Sequence, residues 1–296
     1  MMRLPMNELI SIVKLTLANW QQDRGPRMGA ALAYYMALSL APMVVIILAV
    51  TGLAFGAKAA QGRLLGQIQG LVGKEGAVVI QSMIEGPHRS SSGIGGTVFG
   101  LATLFFGGTA MVSELRDALN TIWRVPEDSV SSRTRTFVNL VTERLLSFAC
   151  LLGVGLFLLL SLIVNTWVSA AGTYFRWLVT PPLRIVQTVE WVIFFVLITA
   201  LFAFIFKVLP AVRLQWSDVA AGALLTSVLF IAGKLLLGIY LGNAGFADIY
   251  GPAGSLVVLL VWVYYSAQVV FFGAEFTKAY SLRCGSMLAG ESQVRL

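Results

Sequence analysis

The chain has 296 residues, of which 57% are hydrophobic and only 12% charged, with a mean hydropathy of +0.82. Soluble domains carry about 25% charged residues, so too little polar surface exists to coat a water-soluble particle of 32.0 kDa. The net charge of +7 comes from basic residues at the ends of apolar runs rather than in blocks, a pattern of membrane topology and not of nucleic-acid binding.

Apolar runs of about 20 residues are long enough to cross a bilayer. Six occur, at 29–55, 94–112, 145–168, 188–208, 219–241 and 253–276. The expected fold is all-α: a polytopic membrane protein of six transmembrane helices with amphipathic surface helices. The membrane domain is read as 29–280, between an N-terminal segment 1–28 and a tail 281–296.

Within the N-terminal segment Leu9, Val13, Leu17 and Trp20 share one helical face, with Lys14 off it. This predicts a helix lying on the inner membrane surface until Gly25-Pro26 breaks it. The segment lacks a short apolar core with a cleavage site, so it is not read as a signal peptide. Span one carries Tyr34, Tyr35, Ser39 and Pro42. Pro42 frees the carbonyl of Leu38 and predicts a kink. The insertion 57–92 is the longest outer segment, with Leu64, Ile68 and Leu71 at helical spacing.

In span two Gly96, Gly100, Thr103 and Gly107 fall within about 60° of one another, a stripe that lets backbones approach closely. It serves packing, or a sliding seam within a bundle. The inner connector 113–142 opens with SELRDALNTIWR, whose Leu115, Leu119 and Ile122 share a face. Ser113 reads as its N-cap and Pro126 as its stop.

Span five, with span four before it, holds the sharpest signal. Gly222, Ala223, Thr226, Ser227, Gly233, Lys234 and Gly238 fall in one half of the helix. Leu224, Leu225, Val228, Leu229, Leu235, Leu236 and Ile239 fall in the other, which should face lipid. Lys234 thus turns into the bundle, about 6 Å beyond mid-span toward the outside. Glu190 near the outer end of span four and Asp248 in the last outer loop are acids at suitable depth to pair with it. Three roles stay open: a substrate-binding or proton-coupling charge, a structural ion pair, and a snorkelled anchor. In span six Tyr264, Gln268 and Glu275 align within about 40°, a polar line from mid-membrane to the inner interface. That line could water a path or supply interhelical hydrogen bonds.

With the N-terminus in the cytoplasm, fourteen of the 21 basic residues fall on inner flanks, six on outer ones, and Lys234 within a span. This bias places both termini inside. His88 has no fellow ligands, no phosphate loop occurs, and Cys150 and Cys284 suit no disulfide or metal framework. No catalytic centre, metal or cofactor is expected.

The stretches ALAYYMALSLAP (31–42), ALNTIWRV (118–125), LPAVRLQW (209–216), GKLLLGIYL (233–241) and IYGPAGSLVVLLVWVYYSAQVVFFGAEF (249–276) resemble the YihY/virulence factor BrkB family, in order across roughly residues 25–280. Lys234, Asn120 and Glu275 fall where that family's motifs carry those residue types; Pro252 stands where many members have alanine. The resemblance implies a bacterial inner (plasma) membrane protein. The family has also carried a ribonuclease BN label, against which the dispersed basic residues and missing acid–base and metal constellations argue. Two functions fit: a transporter or exporter of a small or amphipathic, lipid-like solute, or an envelope-integrity scaffold acting through lipids or partner proteins. The bilayer is the implied partner, with homo-oligomers compatible and nucleic acid not.

Overall fold

The computed structural model describes residues 6–37, 81, 110–126, 183–212, 214–243 and 254–284. These segments are helical or link helices, with no strand among the described residues. Pro42, Gly96, Gly100, Gly107, the insertion 57–92 apart from residue 81, and span three lie outside them, as do most of the connector and the tail.

Helix α1, Met6–Gln22, is amphipathic in two senses. Ile12 is fully buried against Phe276 and Ala279 near the end of the chain, while Ile10, Val13 and Leu17 stay exposed on the opposite side. The exposed stripe matches a surface helix. Trp20 departs from the expected face: its indole lies against Gly25, where any added Cβ would strike it.

The Gly25-Pro26 break produces no loop. α1 closes in a two-residue turn, the Asp23 and Arg24 amides donating to Asn19 and Gln21 carbonyls at 2.8 and 3.1 Å. Arg24 has a left-handed φ of 55°. Helix α2, residues 25–37, starts at once. Pro26 is tolerated there because a first-turn N–H has no intrahelical acceptor to lose.

Helix α3 spans 110–122, so Ser113 is not its cap. Residues 110–112 continue the helix upstream, and nothing in that apolar run offers the backbone an alternative. The expected stop does hold. Arg124 takes φ 51°, its amide bonds to Thr121, and the Val125 amide reaches back to Asn120 at 3.0 Å. That is a Schellman closure with arginine in the usual glycine place.

Three described helices are long and apolar enough to cross a membrane: α4, Leu183–Val208; α5, Trp216–Asn243; and α6, Gly254–Arg283. They coincide with expected spans four, five and six. The α4–α5 link is short and tied down, with Asn120 Oδ1 accepting from the Ala211 amide at 2.9 Å. Lys207 donates to the Leu214 carbonyl and sits 5.3 Å from the Trp216 ring centre.

In lipid, helices gain little from burying one apolar face against another, so close packing and polar contacts must hold them. The α5–α6 seam shows how. Thr277 of α6 sits over Gly222 of α5, and Thr226 of α5 sits over Gly273 of α6. Each threonine hydroxyl donates 2.7 Å to a carbonyl four residues back, which in both helices is the glycine's own. α4 joins through Phe202, which meets Phe230 edge-on at 5.6 Å, and through Thr199, 3.0 Å from Ser227 Oγ. On α5, Ala223, Thr226 and Ser227 are buried while Leu224, Val228, Leu235, Leu236 and Ile239 are exposed, as the angular pattern predicts. Leu225 and Leu229 differ, since both are partly buried against neighbouring cores.

Candidate functional site

Lys234 is half-buried, between the exposed Leu235 on one side and the buried Gly233 on the other. Its ammonium stands 5.0 Å from the ring centre of Phe194 on α4. Such a cation–π contact contributes about 0.5–2 kcal/mol and keeps the charge on the α4 side of α5. Glu190 belongs to α4 one helical turn before Phe194. Its side chain, like all of Asp248, lies outside the described residues, so the expected pairing is not among the contacts seen. The glycine beside Lys234 has a purpose: Tyr265 of α6 packs onto Gly233 and donates its hydroxyl to the Leu229 carbonyl at 3.0 Å.

The polar line of span six meets the first helical pair. Gln268 Nε2 donates to the Gly25 carbonyl at 3.3 Å, and Gly29 leaves room for both Gln268 and the Tyr264 ring. Tyr264 itself is 37% exposed. Glu275, expected at an interface, is instead completely buried.

Around Glu275 lies a cluster that the sequence did not single out. Lys278, one turn further along α6, is only 8% exposed and places its ammonium 3.9 Å from both Glu275 and Asp23 carboxylates. It donates its hydrogen bond elsewhere, to the Ile122 carbonyl at the end of α3. An ammonium there satisfies a carbonyl that the helix cannot, and complements the negative end of the helix dipole. Arg124, at the corner just beyond, adds a second positive charge within electrostatic reach of Glu275. One lysine therefore ties together the α1–α2 turn, the end of α3 and α6. Arg283 fastens α6 to α1 again by donating to Ser11. The only sequence signals were the Glu275–Lys278 spacing and an acid at the helix break.

Among the described residues, no three His, Cys, Asp or Glu side chains converge to hold a metal ion. The described charges in the apolar bundle include a cation on α5, past mid-span, and a buried charge cluster at the end where α1 and the close of α6 meet.

The chain is similar to known membrane proteins. It is 27% identical to a UPF0761 membrane protein of Vibrio atlanticus over 278 residues, 91% of this chain and 82% of that one. It is 28% identical to one of Photobacterium profundum, over 92% of this chain and 82% of the relative. A UPF0761 membrane protein of Alkalilimnicola ehrlichii is 27% identical, this chain covering 56% of its length. No solved structure matches. The model of the family described as virulence factor BrkB matches residues 16–293, nearly the whole sequence, and the chain belongs to that family of membrane proteins.

Proposed function

We propose that the chain is a transporter or exporter of a small or amphipathic solute in a bacterial inner (plasma) membrane, with both termini cytoplasmic. The observation that carries this reading is Lys234: a lysine within a membrane span that turns away from the exposed leucines and onto Phe194. An ionisable side chain kept inside a bundle at such cost is by default a functional candidate. A cation set over an aromatic ring suits a solute with an anionic head and an apolar body. Neither an enzyme nor a nuclease is proposed.

The orientation is tested by reporter fusions. Fusions at residues 75 and 247 should report an outer location, and those at 130, 212 and 290 an inner one, following the basic bias. An inner signal at 75 overturns the six-span arrangement.

The transport reading is tested with the full chain in liposomes, exposed to a panel of small anions and anionic amphipaths while currents are recorded. Lys234→Met should lower any specific flux by roughly tenfold or more, the size of one lost charge-assisted contact. Leu235→Met, on an exposed position, should leave it unchanged. No flux from folded wild-type protein across the panel would favour a scaffold role instead.

A further inference from the structure

Glu275 is fully buried, and neither of its carboxyl oxygens has a hydrogen-bond partner of good geometry among the described residues. The same holds for Oδ2 of Asp23, whose side chain is 13% exposed. The two carboxyls face one another across Lys278. At 3.9 Å the ammonium attracts both but hydrogen-bonds neither, because normal N–H···O distances end near 3.2 Å.

Among the described residues, three charged groups neighbour Glu275. Lys278 comes from its own helix, Asp23 from the α1–α2 turn and Arg124 from the corner after α3. The surfaces of α4 and α5 that meet α6 at this level present Phe206, Gly222 and Thr226, none of which titrates near neutrality.

We propose that Glu275 is a proton-exchange site, with Asp23 and Lys278 as its alternating partners. A metal ion is disfavoured by the adjacent ammonium and guanidinium and by the small number of oxygens, since hard cations take six or more. A proton fits. When a Glu275 oxygen takes one from water on the Asp23 side, the new O–H can donate to the Asp23 carboxylate. Lys278 then keeps Asp23 and the Ile122 carbonyl as its partners. When the proton returns to water, Glu275 and Asp23 both turn to Lys278 for their charge balance. One proton thus changes which link holds the α1–α2 turn to α6. Its use as a coupling step rests on the transport reading; the exchange itself does not.

The test uses the full chain in lipid nanodiscs, titrated while the infrared C=O stretch of protonated carboxyls is followed. A carboxyl band should rise and fall reversibly with pH, vanish in Glu275→Gln and persist in Glu8→Gln, which alters an exposed acid on α1. Asp23→Asn removes only the facing carboxylate and should move the midpoint, which keeps the test open if Glu275→Gln fails to fold. A band that survives Glu275→Gln, or a midpoint unmoved in Asp23→Asn, overturns the proposal. The two readings fail separately. Loss of transport alone would leave the Glu275 band, whereas failure here would leave any flux that depends on Lys234.

Discussion

Lys278→Met should destabilise the protein by about 3–5 kcal/mol, the usual penalty for removing one partner from a buried ionic cluster. The ammonium is 3.9 Å from each of two carboxylates, and its loss also leaves the Ile122 carbonyl without its donor. Methionine nearly matches the lysine stem, so packing changes little and the effect isolates the charge. Removing both signs should be milder. In Lys278→Met/Glu275→Gln the deepest unmatched carboxylate is gone, and part of the lost stability should return because the two substitutions share a contact. Denaturation in mixed micelles, followed by tryptophan fluorescence, checks both. A single variant within about 0.5 kcal/mol of wild type, as for ordinary surface changes, would show that the cluster is wet and that Lys278 is an interfacial anchor.

In the sequence Lys278 is one of the fourteen basic residues on the inner flanks, and the contrast with Lys234 explains what could be read in advance. Lys234 sits well inside an apolar helix whose small and large residues segregate by angle, so its facing follows from helical geometry alone. Lys278 comes after a polar line and close to the end of a span, where a lysine needs no partner but headgroups and water. Its burial depends on the turn at Asp23–Arg24 folding over α6 and on the end of α3 supplying a carbonyl from 156 positions away. Periodicity cannot foresee contacts of that separation. Ser113 fails for a related reason: a capping residue caps only where the helix actually starts, and here helix precedes it. The expected spans four to six coincide with the three long apolar helices, because length and hydropathy need no tertiary knowledge. Which glycines mark a contact was less legible. The stripe in span two lies outside the described residues, while the α5–α6 seam uses one glycine per helix with a threonine four residues on, a spacing with too few glycines to stand out in the sequence.

That seam carries the other large prediction. Gly222→Val should cost at least the 1–3 kcal/mol typical of overpacking, about the range found when a well-filled core receives extra carbon. A Cβ at Gly222 would meet the Thr277 hydroxyl, would lie 2.9 Å from Thr277 Cβ, and would stand 3.3 Å from the Gly273 carbonyl oxygen. The last of these is backbone and cannot rotate away, so α5 and α6 must separate. Separation breaks the reciprocal contact as well, because Thr226 is lifted from Gly273 by the same movement. Gly238 supplies the control on the same helix, with nothing within 4 Å of the position its Cβ would take. Gly238→Val should therefore leave stability nearly unchanged, apart from the helix propensity difference of a few tenths of a kcal/mol between glycine and valine. Gly222→Ala/Thr277→Ala should be more stable than Gly222→Ala alone, since it removes the hydroxyl that the new methyl strikes. Equal losses for Gly222→Val and Gly238→Val would mean that α5 and α6 do not depend on close approach at this point.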